Sequence, residues 1–214
     1  MDARKTFHQK LEELYLDVLR MANLTVDVLE KTRSAFARLG KEAAQAIIDG
    51  DDEVDDYVKK IEGSGIELLA RQAPVAIDLR RIIVIMRLSQ HLERVADLCV
   101  NMSKAIVNLE GYTLSPWIAD NIDEMFERST SMLVCAVDSF KARDEDKAAE
   151  LNKMDDTVDR INRNFLTMTN KDSEEEVEFI IRIVMIARFL ERVADHAVDI
   201  GEEVRYMVTG EFVT

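Results

Sequence analysis

The sequence predicts an all-α protein of two tandem, repeated three-helix bundles, six long helices in all. Three observations predict it. Two prolines and seven glycines in 214 residues leave little to interrupt a helix, and Glu, Lys, Ala, Leu and Arg are abundant. Aromatic residues make up 6% of the chain, too few for an ordinary β-sandwich or barrel. Finally, the chain repeats itself: Leu92-Glu93-Arg94-Val95-Ala96-Asp97 recurs as Leu190-Glu191-Arg192-Val193-Ala194-Asp195.

The repeat extends beyond that hexapeptide. Ile85 lines up with Ile183, and Arg81-Ile82-Ile83 falls near Phe179-Ile180-Ile181. Upstream, Asp51, Asp52, Val54 and Asp55 match Asp155, Asp156, Val158 and Asp159, Phe36 pairs with Phe140, and Ala44 with Ala148. The offset changes by a few residues after the second helix, which implies a shorter connection there in the second copy. The copies divide as residues 1–111 and 112–214.

Periodicity and punctuation place each helix in turn. The first runs from about Arg4 to Leu39, with Gly40 as its stop. The second runs from about Glu42 to Arg71, with a bend at Gly50; Gly63 and Gly65 weaken it, for close packing or as a kink, and Pro74 ends it. The third covers Val75 to Glu110 and stops at Gly111. Residues 111–116 read as the boundary between the copies, and Ser115 with Pro116 makes an N-cap and N1 pair for the fourth helix, which reaches Ala142. The fifth ends near Met168. Ser173 and Glu176 form a capping-box pattern for the sixth, which ends near Gly210. A seam such as Ile85, Leu88, Leu92, Cys99 and Ile106 supplies the buried stripe of one bundle.

Hydrophobic residues, 47% of the chain, are enough for a core, and the net charge is -14. Such a surface repels phosphate backbones, and no run of five Lys or Arg offsets it, so nucleic acid is disfavoured and not expected as a partner. The first ten residues are polar with no apolar core, so no signal peptide is expected; the chain reads as cytoplasmic, meeting a membrane only through partners. Cys99 and Cys135 sit in helical apolar patterns and read as free buried thiols.

Chemistry, if there is any, lies in the repeated carboxylates. Glu93 and Asp97 stand one turn apart on a helix face, with Asn101 continuing the line; Glu191, Asp195 and Asp199 repeat the arrangement. The second helix of each copy offers Asp51 with Asp55, and Asp155 with Asp159. Since helices two and three are neighbours, four carboxylates could gather in one groove and hold a hard cation such as Mg²⁺, Mn²⁺, Ca²⁺ or iron. The stripes read equally well as solvated faces, with Arg94 and Asp97 as an ordinary i,i+3 salt bridge. No histidine follows a Glu at the spacing of a di-iron site. His196, beside Asp195, reads as a surface or salt-bridged histidine, and Trp117 as a residue packing on the helix cap. No catalytic constellation and no phosphate loop is visible.

At these positions the chain resembles the PhoU family of phosphate-uptake regulators, nearly end to end. Asp51-Asp52-Glu53-Val54-Asp55 is similar to the family's first acidic motif, and Ala73-Pro74-Val75-Ala76-Ile77-Asp78-Leu79-Arg80 to its proline turn. The two Leu-Glu-Arg-Val-Ala-Asp segments resemble its signature, and the tail Glu202 to Glu211 fits as well. The resemblance implies two three-helix bundles and a non-catalytic negative regulator of phosphate uptake and phosphate-starvation signalling. It also implies multinuclear metal clusters. Their ligands, carried over by position, are Asp51, Asp55, Glu93 and Asp97 in one copy and Asp155, Asp159, Glu191 and Asp195 in the other, with Asp199 a further candidate. The metal would be iron, manganese, magnesium or zinc. The partners it implies are a phosphate ABC transporter ATPase and a sensor histidine kinase, and a homodimer is expected. The family often has Ile-Gly where Val95-Ala96 and Val193-Ala194 stand here, and the second copy lacks the proline turn. The alternatives are an accessory protein of a single-component phosphate carrier and a metal-dependent hydrolase.

Overall fold

The computed structural model describes residues 3–169 and 177–211. Among them the helices are α1 (Ala3–Arg38), α2 (Lys41–Asp49), α3 (Asp52–Gln72), α4 (Ala76–Val107), α5 (Pro116–Ala142), α6 (Glu145–Thr169) and α7 (Val177–Thr209). The fold is the all-α pair of bundles that the sequence predicts: α1 to α4 form the first and α5 to α7 the second.

The second helix of the first copy is a correction in detail. Where one bent helix is expected, the chain breaks into α2 and α3 at Gly50 and Asp51. There the amides of Gly50 and Val54 bond three residues back, to the carbonyls of Ile47 at 3.3 Å and Asp51 at 3.1 Å, instead of four. Glycine disfavours helix by about 1 kcal/mol relative to alanine. Met154 stands at the equivalent position of α6, and α6 runs through unbroken.

The helix stops follow the repeat more closely than the glycines do. Gly40 is not the left-handed residue that ends α1; Leu39 is, with φ 45°, and Gly40 (φ -80°) begins α2 instead. Arg143, 104 residues later, ends α5 in the same way with φ 55°. Both turns close alike: the amide of Gly40 donates to Ala35 O at 2.9 Å and that of Asp144 to Ser139 O at 3.0 Å. A left-handed non-glycine residue costs about 1–2 kcal/mol, so something must hold it there. Leu39 lies half-buried against the core. Gly111 (φ 88°) and Gly210 (φ 82°) take the left-handed role where the sequence places them. Ser115 Oγ accepts from Ile118 N at 3.4 Å with Pro116 behind it, as expected. The capping box of Ser173 and Glu176 lies outside the described residues.

The seam residues Ile85, Leu88, Leu92, Cys99 and Ile106 are all buried, Cys99 completely; Cys135 is only half-buried, and both thiols are free. Gly65 is a packing glycine: a Cβ there would meet Met86 Sδ at 2.6 Å, whereas one at Gly63 would meet nothing. One continuous cluster of buried side chains runs through both copies. The copies meet along α4 with α7 and α1 with α5. Arg87 pairs with Glu203 while His91 pairs with Asp199, so α4 and α7 run antiparallel. No helix among the described residues is long and apolar enough to cross a membrane.

Candidate functional site

In the first copy Asp51, just before α3, and Asp55 on α3 lie near Glu93 and Asp97 on α4. Asp51 is set at the break between α2 and α3, and Asp52, Glu53 and Asp55 occupy the first turn of α3, where the helix dipole favours negative charge. The carboxyl of Asp51 is held above its ordinary range, first by burial and then by the charges of Asp55 and Asp97, with Lys104 relieving part of the repulsion. Glu93 is raised too, by burial and by Asp97, with Arg94 opposing and Asp55 and Asp51 adding to it. Each carboxylate feels the others across the two helices. Arg94 bridges the α4 pair, with Nη1 3.1 Å from Asp97 Oδ2 and Nε 3.4 Å from Glu93 Oε2. The i,i+3 salt bridge read from the sequence is therefore present.

The second copy brings Asp155 and Asp159 on α6 near Glu191 and Asp195 on α7. Burial and the charges of Asp195, Asp159, Asp156 and Glu191 push Asp155 up to about 6. Its Oδ1 is buried and has no hydrogen-bond partner. Glu191 is raised by burial against the relief of Arg188, whose Nη1 donates to its Oε1 at 2.7 Å. Asp195 is raised by burial, Asp159 and Asp199. Glu191 also interacts with Asn162, which is buried and whose amide oxygen has no partner. Two orphaned oxygens among four mutually repelling carboxylates are what a bound hard cation would relieve: it would satisfy the lone pairs and cancel the repulsion. The donors are all oxygen, which fits Mg²⁺, Mn²⁺ or iron.

Asp195 is exposed, and the other seven carboxylates are half-buried: the Glu93 and Glu191 side chains are 25% and 15% exposed. Among the described residues, no three of the eight bring one ligand atom each within 4.8 Å of one another, so sharing an ion requires side-chain rotation. Asn101 faces solvent. Asp199 stands one turn beyond Asp195, whose carboxyl it helps to raise, at the edge of the acidic line. Eight residues beyond Glu191, it is rotated about 80° around the helix. It meets His196 at 3.5 Å and His91 of α4 at 3.6 Å, and the His196 hydrogen bond holds its carboxyl below the ordinary range.

Sequence reasoning missed Asn162 and His91. The repeat exposed the eight carboxylates, but Val58 stands opposite Asn162 and Phe189 opposite His91, so neither carries a duplicated signal.

The PhoU domain profile matches this chain twice, over residues 18–106 and 122–204. The "Phosphate-specific transport system accessory protein PhoU homolog" of Clostridium acetobutylicum is 34% identical over 98% of this chain and 97% of its own length. Two solved structures superpose on nearly the whole molecule. The phosphate transport system regulatory protein PhoU from Streptococcus pneumoniae does so with TM-score 0.88, covering 97% of this chain and 99% of its own, at 28% identity. PhoU from Pseudomonas aeruginosa gives 0.89, covering 96% and 100%, also at 28% identity.

Proposed function

The chain belongs to the PhoU family, and on that premise we propose that it is an accessory protein of a phosphate-specific transport system that acts as a non-catalytic brake on phosphate uptake and on phosphate-starvation signalling. The observation that carries the reading is the end-to-end likeness, in sequence and in fold, to proteins named as accessory to or regulators of that system. Its partners in this reading are the transporter's cytoplasmic ATPase and a sensor histidine kinase. A rigid helical body fits such work, because its long outer helix faces can be held by two partners at once.

The carboxylate clusters supply the second part of the proposal. Asp51, Asp55, Glu93 and Asp97 hold one metal cluster and Asp155, Asp159, Glu191 and Asp195 the other. A bound cation would supply positive charge that lets four carboxylates stay ionised side by side. The chain's own part is to hold α3 against α4 and α6 against α7, so that each ion ties two helices together. Arg94 and Arg188 neutralise part of the charge before metal arrives, and they must release Glu93, Asp97 and Glu191 for it to bind.

Deleting the gene tests the regulatory reading: genes of the phosphate-starvation response should stay switched on in phosphate-rich medium, and normal repression would sink it. Elemental analysis tests the clusters. The wild-type chain should carry stoichiometric metal, and Glu93→Ala/Asp97→Ala/Glu191→Ala/Asp195→Ala, still helical by circular dichroism, should not. Metal-free wild type after exposure to divalent cations would withdraw the clusters and leave the regulator as a plain scaffold.

A further inference from the structure

Where the two copies meet, α4 and α7 bring together three ligand-bearing side chains beside the second acidic cluster and distinct from the eight carboxylates. His91 Nδ1 and His196 Nδ1 are 3.3 Å apart. Asp199 Oδ2 lies 3.6 Å from the first and 3.5 Å from the second. The three atoms thus form a nearly equilateral triangle. Among the described residues it is the one group of three His, Cys, Asp or Glu residues with a ligand atom each inside 4.8 Å.

Hydrogen bonding accounts for part of that triangle, since His196 donates to Asp199, but both N···O edges, at 3.5 and 3.6 Å, are longer than the ~2.7–3.2 Å of ordinary N–H bonds to oxygen. A neutral imidazole also offers only one ring proton, so two facing Nδ1 atoms and a carboxylate are short of donors. A cation at the centre removes the shortage. Donors bound at about 2.1 Å at three corners of a tetrahedron lie ~3.4 Å apart, which is the spacing found here. Two imidazoles with one carboxylate are a borderline-soft donor set suited to zinc, unlike the all-oxygen clusters. The two imidazoles are largely covered, His91 24% exposed and His196 18%, while Asp199 at 47% leaves a solvent side for a fourth ligand. Arg87 and Glu203, one turn along, pair with each other at 3.0 Å and close the flank of the site.

We propose that His91, His196 and Asp199 form a tetrahedral site for a zinc-class divalent ion, with water as its fourth ligand, that staples the two sequence copies together through α4 and α7. The proposal goes beyond the carboxylate clusters and does not depend on them. It differs in donor chemistry and in position, because it joins one copy to the other instead of two helices within a copy.

Co²⁺ titration of the metal-stripped full chain tests it, since tetrahedral Co²⁺ absorbs visible light far more strongly than octahedral Co²⁺. The expected result is a tetrahedral band that saturates at one ion per chain and is erased by added Zn²⁺. His91→Gln and His196→Gln should each weaken binding by at least ~100-fold. Glu93→Ala/Asp97→Ala/Glu191→Ala/Asp195→Ala should keep the band while losing any carboxylate-bound metal, so this site and the acidic clusters can fail separately. In the unsubstituted protein, Zn²⁺ should shift the ring ¹⁵N resonances of His91 and His196 and leave His8, the third histidine, unmoved. That measurement decides the matter if a glutamine variant misfolds. No tetrahedral band in wild type, a band that survives both substitutions, or unmoved His91 and His196 nitrogens would each overturn the proposal.

Discussion

Among the described residues, Asp155 carries the carboxyl pushed furthest above its ordinary range. Its carboxyl is pushed from an ordinary 3.8 up to about 6 by burial and by its acidic neighbours. Between those two values the folded chain keeps a proton that the unfolded chain gives up. Stability from this group is therefore greatest at about pH 4, falls as pH rises toward 6, and stays low above that. Asp155→Asn removes the charge and keeps the shape. In the presence of a chelator at pH 7 it should raise the melting temperature, by on the order of 1 kcal/mol of stability once solvent screening is discounted. The advantage should vanish near pH 4. If metal binds as proposed, the same variant should bind it less well, so one substitution trades affinity for stability. Melting curves at the two pH values, with and without chelator, check both signs; a destabilised variant in chelator would show that the repulsion is not there. At this scale the sequence was legible where the repeat made it so. Asp155 and its seven counterparts stood out as duplicated carboxylates, while Asn162, His91 and His196 occur in one copy each and gain meaning only when α4 and α7 are packed.

Among the helices, the glycines separate what packing demands from what propensity dislikes. Gly201 lies where α7 crosses α6: a Cβ would meet Leu151 Cδ1 at 2.6 Å and the backbone oxygen of Ala148 at 3.2 Å. A leucine methyl can swing aside, but a helix backbone cannot without moving α6. Gly201→Ala should thus destabilise the fold by about 1–3 kcal/mol. It should also weaken metal retention at the second cluster, since α6 carries Asp155 and Asp159 while α7 carries Glu191 and Asp195. Gly63 has open space around its Cβ position and sits within α3, so Gly63→Ala should stabilise by about 0.5–1 kcal/mol through helix propensity. Chemical denaturation of the two variants should move the midpoint in opposite directions. Sequence periodicity placed the helices except for the break that divides α2 from α3, because a stripe of apolar residues at 3.6-residue spacing is a local signal. It could not decide between packing and kinking at Gly63 and Gly65, nor foresee that Leu39 and Arg143 would take the left-handed turns. Those outcomes depend on what a neighbouring helix places within a few ångströms.

At the scale of the whole molecule, the question is whether two sequence copies behave as two folding units. The boundary at residues 111 and 112 is plain in the sequence, but the core does not stop there. One cluster of buried side chains joins Phe36 of α1 to Phe126 of α5, whose rings are 6.1 Å apart, and Tyr15 to Phe140 at 5.4 Å. Arg33 of α1 grips Asp123 of α5 with two hydrogen bonds, at 2.6 and 2.8 Å, and this pairing holds the Asp123 carboxyl below its ordinary range. Because that carboxyl is depressed, its stabilising contribution is present above the unfolded value near 3.8 and is lost as pH falls below it. Asp123→Asn should cost about 0.5–1 kcal/mol at neutral pH, the range for a partly exposed but bidentate pair. Chains longer than about 150 residues often unfold in stages, so a single transition is not given by length. The shared core argues for one all the same: releasing either bundle would strip apolar surface from the other along both α1–α5 and α4–α7. Trp117, the sole tryptophan, lies in the second copy, whereas helical circular dichroism reports on both. Thermal or urea unfolding followed by the two probes should therefore give superimposable curves, and Asp123→Asn should shift both by the same amount. If the dichroism curve splits while tryptophan fluorescence follows only one of its steps, the copies are independent units, and an ion bridging α4 and α7 would then be expected to merge the two steps into one.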